Sequence, residues 1–69
     1  MNASEVDALA RSVIVHLGLP FTVVSVVAGA AGWNIQVRAD TGRLVSFTLR
    51  DGRPLAMRLA IQEKLEAEL

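Results

Sequence analysis

The chain of 69 residues contains no cysteine, no tyrosine and a single histidine, His16. Without cysteine it can form neither a disulfide nor a thiolate metal site. His16 has no second imidazole at a spacing that would ligate a metal, and no nucleophile is paired with a base. We therefore expect no enzymatic activity, no catalytic or metal-ligating residue and no cofactor. No small-molecule substrate is evident either.

Charge is absent from a long stretch of the chain, because no Asp, Glu, Lys or Arg occurs between Ser12 and Val37. A membrane-spanning helix needs about 20 consecutive apolar residues. Gly18-Leu19-Pro20 interrupts this run, and the valines that follow Pro20 favour a strand. The N-terminus carries acidic residues where a signal peptide would be basic. We expect no membrane association and a cytoplasmic location.

The chain is short but rich in apolar residues, which make up 52% of it. This length predicts a single domain spanning residues 1–69. A domain of this size buries only about 60% of the surface that its unfolded chain exposes. Since no disulfide can add stability, self-association is the usual remaining source of stability for so small a domain. The composition therefore favours a homo-oligomer, most simply a two-fold dimer.

The stretch from Trp33 to Leu49 alternates apolar and polar residues on both sides of a turn at residues 40–43. This period of two predicts a β-hairpin with one apolar and one solvated face. Arg38 and Arg50 fall on the solvated face. Trp33 is in register with the apolar face, which favours a place in the core or at its rim. Stacking on a base or ligand is the alternative.

The segment from Ser4 to Leu17 has the apolar spacing of an amphipathic helix. Ser4 followed by Asp7 predicts its N-cap, and Gly18 before Leu19-Pro20 predicts its end. The residues of its apolar arc are Val6, Leu9, Ala10, Val13, Ile14 and Leu17. Val15 lies among the polar residues of the helix. It is either an isolated exposed apolar side chain or part of an interface.

The segment from Phe21 to Ala28 is rich in valine and predicts a strand. Alternation assigns Phe21, Val23, Ser25 and Val27 to one face and Thr22, Val24, Val26 and Ala28 to the other. Both faces are largely apolar, so the strand is expected to be covered on both sides. We predict that Val24 and Val26 contact a second subunit. The following Gly29–Gly32 segment is interpreted as a hairpin loop.

A second helix is predicted from Pro54 to about Ala67, after a turn at Asp51-Gly52. Its wide apolar arc and its alanines give it two apolar edges. This pattern fits contact with both a core and a partner, and it fits one broad core face equally well. On the first interpretation Met57 and Ile61 contribute to self-association. The order helix, strand, strand, strand, helix predicts a two-layer α+β domain with both helices on one face of a three-stranded antiparallel sheet.

The middle of the chain is basic. From Trp33 to Arg58, five arginines against two aspartates give a net charge of +3, and the remainder carries −3. The arginines that could contact an anion or a nucleic acid are Arg38, Arg43, Arg50, Arg53 and Arg58. The other interpretation is an ordinary solvated surface.

The predicted αβββα order and the length of the chain resemble a double-stranded-RNA-binding domain. In that family a run of basic residues at the start of the second helix contacts phosphates. The corresponding segment here is Arg53-Pro54-Leu55-Ala56-Met57-Arg58. Ala56 and Ala60 are similar to the small residues of the family's second helix, and Ser12 and His16 occupy the first helix, where that family carries groove-contacting residues. The resemblance implies binding of structured RNA.

Two functions follow from these patterns. The first is a small non-enzymatic interaction module that self-associates through the first strand or the second helix. The alternative is binding of structured RNA through the central arginines.

Overall fold

The first helix, α1, spans Ala3–Leu17 in a computed structural model that describes all 69 residues. Its N-cap is Asn2, so the prediction of a cap at Ser4 was wrong. The Asn2 side chain accepts a hydrogen bond from the Glu5 N–H at 2.8 Å, and Glu5 Oε1 accepts one from the Asn2 N–H at 3.0 Å. Asn and Ser cap equally well, so backbone conformation decides between them. Gly18 ends the helix in the left-handed conformation, as predicted.

Three antiparallel strands follow in the spatial order β1-β2-β3. Strand β1 spans Phe21–Ala28, β2 spans Gly32–Ala39 and β3 spans Leu44–Arg50. The β2–β3 turn closes with the Gly42 N–H on the Ala39 oxygen at 2.9 Å and the Ala39 N–H on the Arg43 oxygen at 2.8 Å. Gly42 has φ +91°, a conformation that favours glycine. The predicted hairpin and its turn are therefore confirmed.

Strand β1 contains a bulge that the alternation pattern did not reveal. Val23 lies opposite Val37 but Ser25 lies opposite Gln36, so Val24 is the additional residue. After the bulge, each side chain points to the face opposite to the one that unbroken alternation predicts. Val26, opposite Ile35, packs on the core, and Val27, opposite Asn34, lies on the open face. The predicted assignment of faces was correct only for the residues before the bulge.

The second helix, α2, spans Pro54–Glu66 and begins with Pro54 as predicted. Its buried residues are Met57, Ile61 and Leu65, whereas Leu55 and Leu59 point outward and are 78% and 55% exposed. Both helices cover the same face of the sheet, and a single core lies between the two layers. The predicted αβββα fold is confirmed. Neither helix has both the length and the apolar character needed to cross a membrane.

That core comprises fourteen buried residues, all of them hydrophobic: Val6, Ala10, Val13, Ile14, Phe21, Val23, Ile35, Val37, Ala39, Val45, Leu49, Met57, Ile61 and Leu65. Four members of the predicted α1 arc belong to it, Leu9 packs at its edge, and Leu17 is 39% exposed. Trp33 also packs against it, at its rim, and the Trp33 Nε1–H donates to Asp51 Oδ1 at 3.2 Å. This placement agrees with the core-or-rim interpretation of Trp33.

Candidate functional site

The open face of the sheet carries two of the five predicted arginines at opposite ends. Arg38 lies between Thr22 and Leu44, whereas Arg50 lies beside Gly32. Gly32 and Arg38 are six positions apart on β2, which corresponds to about 20 Å along the strand. The register therefore separates the two arginines, and no single phosphate can contact both.

The other three arginines lie elsewhere on the domain. Arg43 Nη1 is 3.0 Å from Glu68 Oε1, and its Nη2 donates to the Glu68 backbone oxygen at 3.0 Å. Arg58 Nη1 donates to Ser12 Oγ at 3.1 Å and so connects the two helices. Arg53 is the N-cap residue of α2 and makes no side-chain capping bond. The five arginines thus occupy several separate parts of the surface.

Between Arg38 and Arg50 the open face is lined mainly with uncharged polar side chains, and Val27 is the apolar residue among them. Neighbouring rows are formed by Ser25, Gln36 and Ser46 and by Val27, Asn34 and Thr48. They line a shallow cavity of ≈ 390 Å³. These hydroxyl and amide groups can donate and accept hydrogen bonds, but none of them is paired with a general base. His16 is exposed in the last turn of α1 and is not among the residues that line this cavity.

The residues predicted for self-association separate into two groups. Met57 and Ile61 are 2% and 0% exposed, because the face of α2 that carries them packs on the sheet. They are core residues with almost no exposed surface, although Met57 also borders the groove beside β3 that is described below. Val26 also points toward the core, because the bulge reverses its face. Val24, at the bulge, is 44% exposed and accessible.

Apolar side chains are exposed beside strand β1. Val15 on α1 is 80% exposed, Val24 at the bulge is 44% exposed and Val27 on the open face is 56% exposed, and we call these three side chains along the outer strand the β1 flank. Arg11 lines a cavity with Val15 and a second cavity with Val24, so it lies between these two valines. It forms an ion pair of 3.0 Å with Asp7. Sequence reasoning named Val15 and Val24, but missed Val27 because it assumed unbroken alternation.

A groove also runs between the outer edge of β3 and α2, with a volume of ≈ 400 Å³. Leu49 and Met57 contribute its apolar part, and Arg50 and Lys64 contribute charge. Ala56 and Ala60 line the helix side, where their small side chains leave space. We call this the β3–α2 groove. The sequence signal for it was the spacing of Ala56, Ala60 and Lys64 at intervals of four residues, which places them on one side of α2.

No three His, Cys, Asp or Glu side chains are grouped so that they could hold a metal ion. Comparison with known proteins gives no matching family model, no matching curated protein and no matching solved structure. The similarity to double-stranded-RNA-binding domains is therefore one of element order and sheet topology.

Proposed function

We propose that this domain is a non-enzymatic interaction module that self-associates through the β1 flank. The observation that carries the proposal is an uncovered edge strand that has exposed valines and no charged side chain. Strand β1 pairs only with β2, so its outer edge is open. Natural edge strands usually carry charges or other features that prevent pairing with another chain.

The backbone of β1 offers hydrogen-bonding groups to a partner. The Gly29 N–H donates to the Gly32 oxygen at 2.7 Å, which makes these residues a hydrogen-bonded pair. Alternation along an antiparallel ladder then directs the polar groups of Val26 and Ala28 outward. The bulge at Val24 limits continuous pairing to the segment after it. Burial of Val24 and Val27 supplies the hydrophobic contribution.

The oligomeric state tests this proposal directly. Size-exclusion chromatography with light scattering at micromolar concentration should give a mass twice the 7.4 kDa of one chain. Val24→Asp should shift this dimer toward the monomer, because it places a carboxylate in the apolar contact. Since Val24 is already 44% exposed, the circular dichroism spectrum should remain that of the folded domain.

Leu55→Asp is the matched control, because it introduces the same charge on α2 at a side chain that is 78% exposed. It should leave the dimer intact. Dissociation by Leu55→Asp but not by Val24→Asp would show that the interface is on α2. A wild-type protein that remains monomeric would overturn self-association altogether.

The second candidate is binding of structured RNA, as the fold resemblance implies. The observation that favours it is that Arg38, Arg50 and Arg53 take part in none of the ion pairs of the domain. Their charge is available to phosphates. Duplex RNA titrated at low salt should bind, and binding should weaken steeply as salt is added. Arg50→Gln should reduce the salt dependence. Absence of binding at low salt would eliminate this candidate.

A further inference from the structure

The second open edge of the sheet has a different chemical character from the first. Strand β3 pairs only with β2, and the β3–α2 groove lies along its outer side. Arg50 and Lys64 border this groove, whereas β1 carries no charged residue at all. The two edges are therefore suited to different partners.

Backbone geometry fixes which groups of β3 point into the space beside the groove. Because the Ala39 N–H donates to the Arg43 oxygen, residues 39 and 43 form a hydrogen-bonded pair. Alternation then directs the polar groups of Val45, Phe47 and Leu49 toward β2. Those of Ser46, Thr48 and Arg50 point outward, away from the sheet. Thr48 and Arg50 line the groove itself.

The lining of the groove suits an extended chain with small apolar side chains. Leu49 and Met57 are 3% and 2% exposed, so the groove reaches down to the hydrophobic core. Ala56 and Ala60 present only a methyl group each, which leaves room beside the strand for a side chain of a partner. In a strand, alternate side chains point to one side, so an added strand can place every second side chain toward the groove.

The charged residues of the groove favour a partner with negative charge. Arg50 and Lys64 are exposed cations, and neither takes part in an ion pair of the domain. The only carboxylate in the lining is Asp51. Its Oδ1 accepts the Trp33 Nε1–H at 3.2 Å and lies 3.9 Å from the N-terminal amine. The groove therefore retains an excess of positive charge.

We propose that the β3–α2 groove binds an extended acidic peptide segment of a partner protein. The segment pairs with the outward backbone groups of Thr48 and Arg50 and becomes a fourth strand. It places a small apolar side chain over Leu49 and Met57, and its carboxylates, on the other side of the added strand, contact Arg50 on the open face. Lys64 adds positive charge on the helix side of the groove. Backbone pairing supplies affinity in this mode of recognition, and the side-chain pocket and the charges supply specificity.

Amide hydrogen exchange measured by NMR tests the proposal at the atoms involved. The probe is a six-residue peptide of alternating glutamate and valine, capped at both ends and added at about 1 mM, a concentration suited to weak binding. The amides of Ser46, Thr48 and Arg50 should exchange quickly in the free protein and about tenfold more slowly with the probe bound. A peptide of alternating lysine and valine should give no such protection.

Two variants separate groove binding from a general electrostatic effect. Ala56→Leu fills the groove and should weaken binding of the probe at least about tenfold. Ala8→Leu makes the same change at an exposed alanine of α1 and should not affect binding. Lys64→Glu should also weaken binding, because it reverses the charge at the rim of the groove.

Several results would overturn the proposal. One is unchanged exchange at the three β3 amides when the probe is present. Another is protection at β1 amides such as Val26 in place of those of β3. Full affinity in Ala56→Leu would show that the groove is not the site. Slow exchange at the β3 edge in the free protein would show that a second copy already covers it.

Discussion

Gly32→Ala should lower the free energy of unfolding by about 2–4 kcal/mol, one of the largest effects of any single substitution in this domain. Gly32 has φ +154°, a conformation that side chains rarely adopt. A Cβ at this position would overlap the backbone oxygen of Leu49 and would lie 2.9 Å from Arg50 Cα. Because backbone atoms of the neighbouring strand cannot move aside without breaking the ladder, the start of β2 must separate from the end of β3.

The measurement is urea denaturation followed by Trp33 fluorescence, since the indole lies next to the affected position. A domain of this size has a total stability of only about 3–10 kcal/mol, so a loss of this size should move the unfolding midpoint to a clearly lower urea concentration. Gly52→Ala is the control, because a Cβ at Gly52 would meet no atom within 4 Å. It should change stability by less than about 0.5 kcal/mol. Wild-type stability in Gly32→Ala would contradict the β2–β3 register.

Ile61→Ala should lower the free energy of unfolding by about 2–5 kcal/mol. Ile61 is 0% exposed and lies at the centre of the buried stripe of α2. Its truncation removes buried methyl and methylene groups and leaves a cavity that the surrounding side chains fill only in part. The cost does not arise from helix propensity, because alanine is the best helix former.

Leu59→Ala provides the matched control on the same helix. Leu59 is 55% exposed, so its truncation should cost less than about 1 kcal/mol. Both variants are compared by urea denaturation at one protein concentration, because the stability of a dimer depends on concentration. An equal loss in the two variants would mean that α2 packs on the sheet through a different face from the one described.

The two edges of the sheet have different consequences for function. Strand β1 has no charged side chain of its own and exposes Val24 and Val27, and the only charged pair beside it is Arg11–Asp7 of α1, which favours a second copy of the same surface. The β3 edge has basic residues and an adjacent groove, which favours an acidic extended segment. Since the two edges lie on opposite sides of a three-stranded sheet, one copy of the domain can use both. A dimer formed through β1 would present two β3–α2 grooves.

Local signals in the sequence were sufficient for most of the secondary structure. Gly18 before Leu19-Pro20 ends α1, and Pro54 begins α2, because each residue restricts the backbone independently of its neighbours in space. The alternation in the Trp33–Leu49 hairpin predicted which of its residues face the core. Residues two positions apart share a face in any regular strand, so this inference needs no tertiary information.

The candidate surfaces were less predictable, because they depend on pairing between segments. Val26 was assigned to an interface on the basis of unbroken alternation, and the bulge at Val24 places it against the core instead. A bulge is defined by the register with the partner strand, and nothing in the FTVVSVVA segment marks it. The same bulge brings Val27 to the open face.

For helix α2, too, the sequence did not predict which side chains are buried. Its sequence has several apolar positions around the axis, so its pattern alone did not distinguish the stripe of Met57 and Ile61 from that of Leu55 and Leu59. Packing on the sheet buries the first stripe and exposes the second. Met57 and Ile61 therefore offer almost no exposed surface for the self-association that was predicted for them.

The sequence by itself determined the order of the elements, their approximate bounds and the solvated face of the hairpin, because these follow from restrictions on single residues and from periodicity. Tertiary structure decided which valines of β1 are exposed, which face of α2 is buried and how far apart Arg38 and Arg50 lie. It also created the β3–α2 groove. Each of these depends on strand register and on the docking of a helix, which are relations between residues distant in the chain.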